Sequence, residues 1–145
     1  LAFAAGNEQM IEALNLIQDH LFVGIFPALQ EAGIAALLDT KSEEAVAQLN
    51  ATYDRRRDAF VQAAAKIGWQ AFPSRGSFYA WMPVPEGYTS ESFADLLLEK
   101  AHVAVAPGKG FGPAGDAYVR IGLLVEPERL VEAVNRIANL HLFNN

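Results

Sequence analysis

Apolar residues follow two different periods along this chain, and the change between them divides it. Met10, Ile11, Leu14, Ile17 and Leu21 keep the three-and-four spacing of an amphipathic helix, with Asn7 as its cap. Phe22-Val23-Gly24-Ile25-Phe26-Pro27 interrupts the pattern, because Gly and Pro stop a helix, and Ala28 to Leu38 resumes it with small residues that permit close packing. Thr40 and Glu43 have capping-box spacing. From there Val46, Leu49, Tyr53, Phe60, Ala64 and Ile67 trace one face of a long helix that should stop at Gly68. Ahead of all these, Leu1 to Asn7 reads as an apolar strand ended by a turn, part of a sheet begun upstream.

Past Gly68 the period shortens. Trp69 to Phe72 and Phe78 to Met82 read as strands separated by Pro73-Ser74-Arg75-Gly76, with Pro83 and Pro85 ending the second. Thr89 or Ser90 then caps a helix carrying Phe93, Leu96 and Leu97, and a short strand follows at Val103 to Ala106. A loop from Pro107 to Gly115 leads into a strand from Tyr118 to Val125. Glu126-Pro127-Glu128 opens a last helix, with Pro at its first position and acid near the positive end of the dipole. The order strand, strand, helix, strand, strand, helix predicts an α+β layer of helices on a small, mostly antiparallel sheet. The expected organisation is a remnant of a larger sheet domain over residues 1–38, a long connecting helix over 39–68 and a compact body over 69–145.

Composition narrows the chemistry. A hydrophobic content of 52% with 19% charged residues is that of a globular protein, and a net charge of -6 speaks against nucleic acid as a partner, since phosphate binding needs clustered Lys and Arg. The one basic run, Arg55-Arg56-Arg57, falls inside a helical pattern and reads as a solvated or interdomain face. Cysteine is absent, which removes disulfides and thiolate chemistry and fits a cytoplasmic location. His20, His102 and His141 are too scattered to predict a metal site, and no apolar run approaches the ~18 residues of a membrane span.

Two segments invite a functional reading. Gly110-Phe111-Gly112-Pro113-Ala114-Gly115 satisfies the Gly-x-Gly-x-x-Gly dinucleotide fingerprint, but that motif works by aiming a helix N-terminus at a pyrophosphate, and here a strand follows. The glycines instead read as a connection between strands, with close approach to a ligand or a neighbouring domain as one reason for their number. In Tyr118 to Val125 the alternation places Val119, Ile121, Leu123 and Val125 on one face and Tyr118, Arg120, Gly122 and Leu124 on the other. A guanidinium emerging from so apolar a strand needs a partner, and Gly122 beside it leaves room for one to approach. Its planar fork suits a carboxylate, either that of a ligand or that of an Asp or Glu in a structural ion pair.

Val103-Ala104-Val105-Ala106-Pro107-Gly108, then Phe111-Gly112, then Tyr118-Val119-Arg120-Ile121-Gly122 resembles the closing motif of the class I/II aminotransferases of fold type I. Arg75-Gly76-Ser77-Phe78-Tyr79-Ala80-Trp81 resembles that family's Gly-x-Phe strand, and Leu1 to Asn7 the segment after its cofactor lysine and phosphate-binding arginine. The resemblance covers essentially the whole chain and implies its C-terminal portion: a small α+β domain joined by a long helix to a remnant of the large, cofactor-binding α/β domain. It implies pyridoxal 5'-phosphate as cofactor, amino acid and 2-oxo acid as substrates, a homodimer, and Arg120 as the residue holding the substrate α-carboxylate. Phe26, Gly76 and Phe78 become candidate pocket residues. Where the aspartate-type members place polar residues that reach the partner subunit's cofactor phosphate, this chain has the apolar Phe22 to Pro27. Lys41, Lys66, Lys100 and Lys109 match no cofactor-lysine position, so the chain alone should be inactive. Pro-Gly-Lys-Gly-Phe-Gly resembles a methionine-salvage type, with the aspartate/aromatic type as the alternative, and the apolar surroundings favour neutral, aromatic or sulfur-containing amino acids. Two other classes stay open: an aminotransferase-like sensing domain of a transcription regulator, and an unrelated α+β ligand-binding module.

Overall fold

The computed structural model describes residues 1–72 and 74–143. Along them lie α1 Glu8–Ile17, α2 Pro27–Leu38, α3 Lys41–Lys66, β1 Tyr79–Pro83, α4 Ser90–Leu96, β2 Ala106–Pro107, β3 Tyr118–Gly122 and α5 Pro127–Ala138. The chain forms two compact units, Leu1–Gln48 and Leu49–Asn145, and the division falls within the long helix α3.

In the first unit Asn7 caps α1 as its position predicts, its Oδ1 accepting from Met10 N at 3.3 Å. A π turn, Gln18–Phe22, follows α1 and ends with Val23 in the left-handed region at φ 56°. Pro27 then starts α2, where its missing N–H is not needed. At the start of α3 the side-chain acceptor is Asp39, which takes Lys41 N at 2.8 Å, instead of Thr40 of the expected capping box. Leu1 to Asn7 forms no strand. Extended backbone is held by a ladder to a neighbour, and no strand lies in this unit for it to pair with. No residue of the unit is buried.

The second unit has a core. The last turn of α3 closes with Trp69 N donating to Ala64 O and Gly68 N to Ala65 O, a Schellman pair made possible by Gly68 at φ 80°. Trp69, expected in a strand, is instead the centre of the core: its indole donates to Pro83 O at 2.8 Å, and its ring meets Phe60, Phe93 and Phe143. Of the expected strand there remains an isolated bridge between Phe72 and Trp81, with Pro73 outside the described residues.

β1, β3 and β2 form one antiparallel sheet in that order. The register pairs Tyr79 with Gly122, Trp81 with Arg120 and Ala106 with Arg120. β2 is only two residues long and meets the expected strand at Ala106 alone, with Val103 to Val105 outside the ladder. Ala80, Met82, Val119 and Ile121 are buried and join Phe93 and Leu97 near α4 and Leu130, Val134 and Ile137 of α5. The expected alternation in β3 thus holds through Leu123 and fails at Val125, which is half exposed beyond the strand end.

Candidate functional site

Because paired residues of an antiparallel ladder share a face, the face of the sheet away from the core carries Tyr79, Trp81, Tyr118, Arg120 and Gly122. Arg120 is half-buried there. Its guanidinium carbon lies 4.1 Å from the centroid of the Tyr79 ring and 4.2 Å from that of Phe111. Among the described residues it makes no ion pair and no hydrogen bond, whereas Arg56, Arg57, Arg129 and Arg136 each pair with a carboxylate. Two aromatic rings stabilise the cation without neutralising it, so its in-plane N–H fork is left for an anion. The room expected beside Gly122 is taken by the chain itself: a Cβ there would meet Leu124 at 3.3 Å and Tyr79 at 3.8 Å, so the glycine accommodates these two side chains.

Gly76 and Phe78 come together on a cavity of about 390 Å³ lined also by Tyr53, Asp54, Arg57 and Arg75. Phe78 packs on Tyr53 at 5.6 Å and on Tyr79 at 4.6 Å, and Tyr79 in turn carries Arg120, so two of the four expected site residues, Phe78 and Arg120, lie along one run of aromatic contacts, while Gly76 shares only the cavity with Phe78. Phe26, the fourth, precedes α2 in the first unit with its ring exposed. Tyr79 and Phe111 were not singled out by the sequence as partners of Arg120. Tyr79 was within reach, since strand alternation puts it beside Trp81's face, but Phe111 comes from a loop and no periodicity announces it.

That loop consists of two 3-10 turns, Gly108–Phe111 and Pro113–Ala117, followed by β3, so no helix N-terminus faces a pyrophosphate. Two of its glycines, Gly108 and Gly115, answer to the chain's own backbone. A Cβ on Gly108 would lie 2.1 Å from Gly115 O, and one on Gly115 would lie 2.1 Å from Gly108 O. The loop is tied to α4 through Ser90, which is fully buried. Ser90 Oγ donates to Asp116 Oδ1 at 2.7 Å and accepts from Lys109 N at 3.3 Å, while Ser90 N also donates to Asp116. These bonds, the side-chain one first, hold the Asp116 carboxyl below its ordinary pKa. Lys109 Nζ is paired with Glu91 at 2.7 Å, which raises its pKa. Lys41 and Lys66 begin and end α3, and Lys100 lies in the turn after α4; what the residues at Arg120 fit is a carboxylate.

Residues 1–137 match the family model described as aminotransferase class I and II. The chain is 57% identical over 99% of its length to L-glutamine–4-(methylsulfanyl)-2-oxobutanoate aminotransferase of Bacillus subtilis, and 44% identical over 94% to LL-diaminopimelate aminotransferase of Moorella thermoacetica. It spans 35% of the length of each of these relatives. Among solved structures, substrate-bound BacF of B. subtilis superposes with a TM-score of 0.86 at 42% identity over 96% of this chain and 35% of that one. An aromatic aminotransferase from Pyrococcus horikoshii gives 0.86 at 34% identity over 94% of this chain and 37% of that one. The motifs, the three-stranded antiparallel sheet with its helices and these likenesses agree, and they rule out the unrelated module: the chain belongs to the class I and II aminotransferases, as a C-terminal part of their fold type I architecture.

Proposed function

We propose that this chain supplies the substrate-binding arginine, Arg120, to an enzyme that moves an amino group between an amino acid and a 2-oxo acid. The observation that carries the reading is the state of that side chain: half-buried, lying over two rings, and without an ion pair among the described residues. Family membership implies pyridoxal phosphate for the whole enzyme, and the bound cofactor would supply the electron sink for the transfer. What this chain contributes is binding and orientation. A carboxylate gripped at two points by a guanidinium cannot rotate freely, so the α-carbon beside it is held in a fixed direction, and a positioned substrate reacts faster than a loosely bound one.

In this reading residues 1–38 are a remnant of the large cofactor-binding domain, 39–68 the interdomain helix and 69–145 the small domain. The lack of any buried residue in the first unit, with Phe3, Leu37 and Leu38 exposed, supports a missing partner body. We assign the whole enzyme to a cytoplasmic homodimer. Its substrates are neutral, aromatic or sulfur-containing amino acids, and the name of the 57% identical B. subtilis relative supports a sulfur-containing 2-oxo acid as acceptor.

The test is steady-state kinetics of the full-length enzyme. Arg120→Lys keeps a charge and loses the fork, Arg120→Ala loses both, and each should lower kcat/KM for an amino acid. Truncating one partner of such a charged pair costs about 2–5 kcal/mol, or about 30- to several-thousand-fold. An amine without the α-carboxylate should react almost equally with wild type and variant. Equal losses on both substrates would make Arg120 a structural residue.

A further inference from the structure

We propose that Phe111 is a positioning residue for Arg120, fixing the plane in which the guanidinium offers its N–H groups to a carboxylate. The inference rests on the reading of Arg120 given above. A free arginine side chain has many rotamers, and on an open sheet face little would select among them. Here the guanidinium carbon lies over the Phe111 ring at 4.2 Å, with Tyr79 over the same cation at 4.1 Å. A ring under the guanidinium carbon holds the cation through its π face and takes up no N–H group, so the two rings and a carboxylate do not compete. Phe111 has no polar atom and cannot pair the charge away.

The ring is itself held. Its edge-on contact with Trp81, at 5.6 Å and 82° between planes, sets it from the strand opposite Arg120. The turn that carries it is fixed by Lys109 N on Ser90 Oγ, by Lys109 Nζ on Glu91 and by the close pass of Gly108 along Gly115. Yet Phe111 remains half exposed, so it is not there to fill the core.

The experiment compares Phe111→Leu, Phe111→Met and Phe111→Tyr with wild type and Arg120→Ala in the full-length, cofactor-loaded enzyme, on an amino acid and on the amine that lacks its carboxylate. Leu and Met keep bulk and lose the π face, and each should raise KM for the amino acid by about 3- to 30-fold, the range of a cation–π contact, with a smaller effect on kcat. Tyr should restore wild-type KM to within about twofold. The amine should not distinguish the variants. Equal damage on both substrates, failure of Tyr to rescue, or no change with Leu and Met would each overturn the proposal. If Arg120→Ala itself fails to discriminate the amino acid from the amine, the reading of Arg120 falls first; if it discriminates and Phe111→Leu does not, only the role of Phe111 falls.

Discussion

At the scale of single residues, side chains whose environments are complete differ from one whose environment is not. Ser90 is fully buried and satisfied, with its hydroxyl between Asp116 and Lys109 N. Ser90→Ala should therefore leave the Asp116 carboxylate with the Ser90 N–H as its one remaining donor from Ser90 and lower the stability of the fold, as measured by urea unfolding. The effect should depend on pH in one direction. Because the native Asp116 pKa is lowered, its contribution is present above the ordinary aspartate value and disappears as pH falls through the lower native value. Wild type and Ser90→Ala should thus converge in stability in acid, and a gap that widens there would contradict the assignment. Arg120 is the incomplete case, since its cation has aromatic company and no counter-charge among the described residues. The sequence pointed to Arg120 because a charge in an apolar strand stands out. It could not reveal the rings over it, because one of them arrives from a loop 3-10 turn.

At the scale of elements, what was legible followed periodicity and capping. Asn7, Thr89, Pro127 and Gly68 mark helix ends through local chemistry, and they do so in the structure. The alternation in β3 gave both its buried face and the face bearing Arg120. Away from β1 and β3 strand extent was not legible, because a strand depends on a partner: β2 keeps only Ala106 of the expected Val103 to Ala106. Leu1 to Asn7 and Trp69 to Phe72 are apolar enough to pair, but the first has no ladder and the second keeps one bridge. In the glycine-rich loop the sequence could not show that Gly108 and Gly115 pass each other's backbone, because that approach is made between residues seven apart in a turn without a period. Gly108→Ala or Gly115→Ala should accordingly destabilise by about 1–3 kcal/mol or more, as overpacking against backbone does. Gly110→Ala, where a Cβ would meet nothing within 4 Å, should be close to neutral, and thermal melts of the three variants compare them. Equal effects at Gly108 and Gly110 would remove the close-packing explanation.

At the scale of the whole molecule, the two units differ in kind. Leu49–Asn145 contains a core centred on Trp69, Phe60 and Phe93, while Leu1–Gln48 shows Phe3, Phe22, Val23, Leu37 and Leu38 to solvent. Apolar surface on that scale should drive association. The chain expressed alone should elute from size exclusion above its 15.7 kDa mass, and a clean monomer would argue against the missing partner body. Treated with pyridoxal phosphate and then borohydride, it should show no single lysine labelled in full, because none of its lysines is assigned to the cofactor. A unique stoichiometric label would reverse that assignment. The central claim concerns Arg120, and the measurement closest to it is a crystal structure of the full-length enzyme with an unreactive amino acid analogue bound. The account predicts the analogue's carboxylate on the Arg120 fork, two N–H···O contacts at about 2.7–2.9 Å, with Tyr79 and Phe111 still stacked on the guanidinium. A carboxylate held elsewhere, with Arg120 paired to an Asp or Glu of the protein, would contradict it.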